Sequence, residues 1–565
     1  MFVFSDRRFF TIATLTVLAA GCDSGPAVEA ADLVLRGGKI VTVDDENPQV
    51  QALASRDGRI IAMGSDAEMS GYIGDGTRVV ELDGHTAIPG FIEGHGHYMG
   101  VGRSTLQLNL MTVANWGEAV AMVEAAVADA EPGELITGRG WHQEKWDVRP
   151  EPNVDGLPFH ASLSAVSPDN PVILRHASGH ATYANAKAME LSGIDASTPD
   201  PRGGEIVRDA SGNPIGAFRE TAGGLLGPAQ RGAASPDPAR VALLAQEESF
   251  SKGITSFQDA GSGFGSVDLW KDLVDDGSLK IRLYVMLRGS NDSFREKLAD
   301  YRMIGYGDRL TVRAIKHSID GALGSHGAWL LEPYDDLPTS TGLNTTPVEV
   351  ITETAALAME HGYQLNVHAI GDRANRETLD IFEAAYVTAG GEDYRWRVEH
   401  AQHLNPDDIG RFGELGVIAA MQGVHATSDG PWVEPKLGAQ RAAEGAYVWQ
   451  KLMESGAVIM NGTDAPVEDV DPMVSYYSTV SRVMNNGEVY FPNQRMSRLE
   501  ALKSYTINAA YGAFEDDVKG SLVVGKFADI TVLSQDIMTI DEAAIPDTEI
   551  VYTIVGGEVV YEGGR

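Results

Sequence analysis

The order of segments along the chain predicts an α/β protein: a (β/α)8 TIM-type barrel with a large insertion after strand 1, plus a small β-sandwich domain built from both chain ends. Three observations predict it. Through the middle of the 565 residues, β-rich runs alternate with helical stretches such as "VEVITETAALAMEHG" and "RETLDIFEAAYVTAG", the pattern of a parallel sheet. Both ends carry segments that alternate apolar and polar residues between Gly, Asp and Asn turns. Histidine, lysine and aspartate recur at the C-terminal ends of expected strands, where barrels keep their chemistry.

The end segments are "DLVLRGGKIVTVD", "ALASRDGRIIAMG" and "TRVVELDGHTAIPG" on one side, "KFADITVLSQD" and "EIVYTIVGGEVVYEGG" on the other. They read as hairpins of one composite domain, residues 32–88 with 515–565, leaving 89–514 for the barrel. Within the barrel region ten strands are expected. Eight run over Gly90–His97, Gly253–Gly261, Ile281–Leu287, Leu310–Asp320, Tyr363–Asp372, Trp396–His403, Val417–Val424 and Val458–Pro466. Two more, Glu134–Trp141 and Pro171–His180, lie in a stretch rich in Pro, Gly and Asp. Treating about 101–249 as an insertion leaves the eight that a barrel needs.

Strand ends then supply a definite set: His95 and His97 on strand 1, Lys316 on strand 4, His368 on strand 5, His400 on strand 6 and Asp464 on strand 8. Neighbouring strand ends converge on the barrel mouth, and imidazole with carboxylate suits Zn²⁺ and similar cations. In "GFIEGHGHYMG" the two imidazoles, two residues apart, face the same way, and Gly96 is expected to leave room for a metal between them. One His-x-His alone is a weak signal, since a histidine near a strand end is more often a hydrogen-bonded core residue. Four histidines, a lysine and an aspartate at the ends of five strands are a much stronger one.

These motifs resemble the amidohydrolase superfamily of metal-dependent hydrolases, in particular amidohydrolase family 3 with its YtcJ-like and N-substituted formamide deformylase-like members. The resemblance rests on "IPGFIEGHGH", "IKHSIDGALGS", "VHAIGDRAN", "RVEHAQ", "GTDAPVEDVDP" and "KGSLVVGKFADITVL", in order and spacing, and covers nearly the whole mature chain. It implies one or two divalent metals per chain, zinc being the expected ion. His95, His97 and Asp464 would hold the more buried one and His368 and His400 the second. Lys316, carboxylated by CO₂, would bridge two. It implies hydrolysis of an amide- or formamide-type C–N bond of a small molecule by metal-bound hydroxide, with Asp464 as proton carrier. His176, His180, His425 and Asp320 are candidate substrate contacts in segments like the family's. The same centre would also serve a lactone, ester or carbamate, and a non-catalytic exported binding protein is the reading from another class. The family suggests a homodimer.

Composition narrows the partners. Lys plus Arg number 44 against 80 Asp plus Glu, a formal charge of −36, which disfavours nucleic acid and anionic lipid. The single cysteine, Cys22, excludes an internal disulfide. "MFVFSDRRFFTIATLTVLAAGC" has Arg7 and Arg8, an apolar run and small residues up to Cys22, the layout of an export signal over residues 1–22, followed by a linker over 23–31. "LAAGC" resembles a lipoprotein signal, with Ala19 where Leu is usual, and "RRFF" loosely resembles a twin-arginine signal. The expectation is export to a bacterial periplasm or cell envelope, with membrane contact only through a lipid on Cys22.

Overall fold

The computed structural model describes residues 29–563 apart from 178, 202–203, 232–235 and 392. The expected signal, Cys22 and most of the linker lie outside the described residues. Among the described residues no helix is long and apolar enough to cross a membrane.

Eight parallel strands run through the central nine-stranded sheet, named here β1 (Phe91–Gly96), β2 (Ile254–Ser262), β3 (Arg282–Leu287), β4 (Leu310–Ser318), β5 (Gln364–Ala369), β6 (Arg397–His400), β7 (Ile418–Gln422) and β8 (Ile459–Gly462), with Met303–Tyr306 added antiparallel to β4. Seven fall inside their expected runs, and β2 overruns its own by one residue, Ser262. Every successive pair is joined in parallel register, from β1–β2 through β7–β8. The strands are buried along almost their whole length, because helices cover the outside and side chains fill the inside. The barrel is nearly closed: past the end of β8, Asp464 N donates to His95 O at 2.7 Å and His97 N to Ala465 O at 2.6 Å.

Local chemistry sets the connections. The helix Pro406–Leu415, between β6 and β7, starts on an Asn405 side chain that accepts from Asp407 N, with Pro406 in its first turn. It stops at Gly416, whose φ of +63° is left-handed. Its Ile409 and Phe412 are buried in the core that surrounds the barrel.

The two extra candidate strands are not part of the barrel sheet. Ile136–Trp141 and Val172–His176 pair with each other inside a separate six-stranded sheet, all of whose strands fall between residues 108 and 220. Trp141, Leu174, Tyr183 and neighbours give this segment its own buried cluster. At the chain ends, Ile530–Leu533 pairs antiparallel with Thr86–Pro89 in a second six-stranded sheet. That sheet shares a buried cluster with a four-stranded sheet containing Leu33–Arg36.

Candidate metal centre

The six residues singled out at strand ends come together at one mouth of the barrel. His95 Nε2 and His97 Nε2 stand 3.5 and 3.2 Å from the same oxygen, Asp464 Oδ1. One donor atom from each of the three lies within 4.8 Å of the others. Lys316 Nζ is 3.3 Å from His95 Nε2. The His400 ring sits 4.6 Å from that of His95 and 4.5 Å from that of His368. Asp464 reaches in from a backbone at φ +58°, a region that side-chain-bearing residues seldom occupy and that collects at functional sites.

Gly96 does something other than expected. A Cβ on it would lie 2.6 Å from the Phe257 ring and 3.2 Å from Glu93 Cγ, so the space it leaves is filled by the β2 side chain and not by the centre. The strand ends at Gly96, and His97 follows it as the residue capping the helix Tyr98–Ser104.

Partners behind the ligating atoms fix the rings. His95 Nδ1 bonds Glu399, which accepts from Arg397 Nε at 2.7 Å; Arg397 in turn donates to Gln258 Oε1 at 2.5 Å. These side chains are wholly buried inside the barrel. Burial opposes ionising Glu399, yet Arg397, His95 and Lys316 together hold it down at about 2. His400 Nδ1 faces Gln422 Oε1 at 2.7 Å. Burial pushes His95 down to about 4 and lowers His368 and His400, so all three offer neutral nitrogens. It also pushes the Lys316 ammonium down to about 7. Asp464 is held well below the usual carboxylate range: burial works against this, but the His97, His95 and His400 imidazoles around it outweigh it.

Glu399 was not legible from the sequence because consecutive strand residues point to opposite faces, and His400 had taken the inward position. The structure resolves this with φ of +78° at His400, which brings both side chains to His95.

A cavity of about 670 Å³ opens onto the centre, lined by His368, His400, Asp464 and by residues from the 101–249 segment and from the segments after β4 to β8. His176, His180 and His425 all line it. His176 Nε2 faces Gln143 Oε1 at 3.1 Å, and His425 Nδ1 accepts from Gln402 Nε2 at 3.1 Å. Asp320 is placed differently: it is buried, with Trp329 N, Gly371 N and Ile370 N bonded to its two oxygens at 2.8–3.0 Å. It holds the loops after β4 and β5 together beside His368, 3.4 Å from Nε2. The cavity also has members that the sequence did not announce. The His142 ring stacks on Trp432 at 5.2 Å, joining the 101–249 segment to the helix Gly423–Leu437 after β7. Lys145 reaches Glu468 at 3.2 Å, Arg219 pairs with Glu205 and Asp155, and Lys436 with Asp336.

With this geometry in hand, comparison with known proteins is informative. The model of the amidohydrolase family matches residues 78–561. The chain is 35% identical to protein LONG AFTER FAR-RED 3 of Arabidopsis thaliana, over 95% of this chain and 92% of that one. It is 30% identical to the putative amidohydrolase YtcJ of Bacillus subtilis, over 94% and 99%. Identity to the N-substituted formamide deformylase of Arthrobacter pascens is 27%, over 94% and 98%. Among solved structures, an uncharacterized metal-dependent hydrolase from Pyrococcus horikoshii superimposes with a TM-score of 0.73 at 24% identity, covering 90% of this chain and 99% of the other.

Proposed function

This chain belongs to the amidohydrolase family, and from that premise we propose that it hydrolyses an amide- or formamide-type C–N bond of a small molecule at a divalent-metal centre. The observation that carries the proposal is the convergence of His95, His97 and Asp464 on one point at the barrel mouth. The donor set fits a cation such as zinc: two imidazoles and a carboxylate, with Asp464 Oδ1 and His368 Nε2 buried and making no well-aligned hydrogen bond. His368 and His400 extend the set toward a second cation. A bound cation acts there as a Lewis acid and makes hydroxide available near pH 7.

The chain's own groups do the rest. Asp464, ionised at neutral pH, accepts the proton of the attacking water on its carboxylate and delivers it to the nitrogen as the C–N bond breaks. Carboxylic acid and amine are the products. Glu399 keeps Nδ1 of His95 engaged, so that Nε2 is the nitrogen turned to the centre. Lys316, brought to about 7 by burial, spends a share of its time as the neutral amine that can add CO₂ through its nitrogen, giving up a proton to solvent. The resulting carbamate offers two anionic oxygens where an ammonium offers none. We read residues 101–249 as an insertion that shapes the substrate cavity, the end-built sheets as a sandwich, and Cys22 as a lipid anchor after export.

The test is metal content per chain by plasma mass spectrometry, on protein purified without chelator or added metal. About two divalent ions support the bridged centre and make Lys316→Ala the next variant. About one keeps the hydrolase and removes Lys316 from the bridge. None, with no hydrolysis restored by added zinc, overturns the proposal.

A further inference from the structure

Among the described residues no ladder pairs β8 with β1; the barrel closes there by other means. Its seam brings the two backbones very close. A Cβ on Gly94 would lie 2.3 Å from Asn461 O, and one on Gly462 would lie 2.4 Å from Glu93 Oε1. Into this seam Glu93 inserts a carboxyl group that is 1% exposed. Its Oε1 accepts from Thr463 N at 2.7 Å and His95 N at 3.2 Å, and its Oε2 from Thr463 Oγ1 at 2.9 Å. Thr463 Oγ1 also accepts from Ala465 N at 3.2 Å. One side chain thus binds the backbone of His95 and that of the residue just before Asp464, while Thr463 binds the residue just after.

We propose that Glu93, acting through Thr463, is a positioning residue that sets the separation between Asp464 and the His95/His97 pair, and through it the affinity of the centre for a divalent cation. The cation affinity rests on the function proposed above; the geometry does not. A strand ladder could satisfy the same amides, and a buried carboxyl group is unfavourable without such partners. A regular ladder favours extended backbone, whereas Asp464 stands at φ +58° with its Oδ1 3.2 Å from His97 Nε2. Hydrogen bonds to Thr463 N and Ala465 N, the amides of the two residues that flank Asp464, can hold it there.

Glu93→Asp, one methylene shorter, cannot span both amides with the seam as it is, and Glu93→Gln can. Zinc affinity is measured by chelator competition at 25 °C on protein shown to be folded by its thermal melt. Glu93→Asp is expected to bind zinc about 10–100-fold more weakly, the loss typical of outer-shell partners, and Glu93→Gln to recover most of it. Unchanged zinc affinity in folded Glu93→Asp, with only the melting temperature lowered, overturns the proposal. Crystal structures of wild type and Glu93→Asp supply a readout without metal. The Asp464 Oδ1 to His97 Nε2 separation is expected to change by more than about 0.5 Å, the tolerance of a working site. An unchanged separation sinks the proposal even if wild type takes up no zinc. Zinc binding without hydrolysis in wild type would instead count against the function alone.

Discussion

The inner and outer ends of the same cavity are built by opposite means. At the inner end, His95 is held by Glu399, Glu399 by Arg397 and Arg397 by Gln258, with none of these side chains more than 1% exposed. At the outer end, Arg219 makes ion pairs with Glu205 and Asp155 that face water, and Lys436 makes a part-buried pair with Asp336. Buried charge pairs are rigid and costly to break, while exposed pairs contribute about 0–1 kcal/mol. The inner end therefore fixes the chemistry, and the outer wall is free to change the substrate without unfolding the barrel.

The largest effect should come from the inner end. Asp464→Asn, with metal content unchanged, should lower kcat by about 10²–10⁴-fold, the usual contribution of a proton carrier; activity equal to wild type would remove Asp464 from that role. Arg397→Met leaves the Glu399 charge buried without its guanidinium, and should destabilise the protein by about 3–5 kcal/mol in urea unfolding. A loss below 1 kcal/mol would mean that the inner pair is no firmer than the outer ones.

Acid should separate the two ends as well. Glu399 is held at about 2 in the fold against an ordinary 4.5, so the unfolded chain binds the extra proton in between. Its stabilising contribution is complete above pH 4.5 and is lost as pH falls toward 2. Urea midpoints should drop more steeply over that window in wild type than in Glu399→Gln. Parallel curves would refute the assignment.

Effects at the outer end are smaller. Trp432→Ala removes the stack with His142 and should raise KM by roughly tenfold at most, an aromatic pair's worth, with kcat little changed. A fall in kcat alone would place Trp432 nearer the chemistry than the wall. Arg219→Ala should shift stability by less than about 1 kcal/mol in the same urea assay. A larger loss would show the wall to be part of the fold's support.

Much of the barrel and its centre was legible because both are local patterns. Strand and helix periods, with turn residues between them, are written in a dozen or so consecutive positions. A histidine or aspartate at a strand end is visible in the same window, so His95, His97, Lys316, His368, His400 and Asp464 could each be named before their meeting was seen. Gly96 shows the limit of that window. It was read through its neighbours His95 and His97, whereas the atoms that need its space belong to Phe257.

What the sequence by itself determined is the order of elements and the donor groups offered at their ends, because propensity and periodicity act between near neighbours. Only the tertiary structure decided how those groups are held. Glu93 and Thr463 are 370 positions apart, and His95 and Glu399 are 304 apart. Closing the barrel brings both pairs together, and a positive φ at His400 turns two consecutive side chains inward where a regular strand would turn one. Barrel closure and that backbone turn arise from the packing of the whole chain, so no local stretch of sequence contains them.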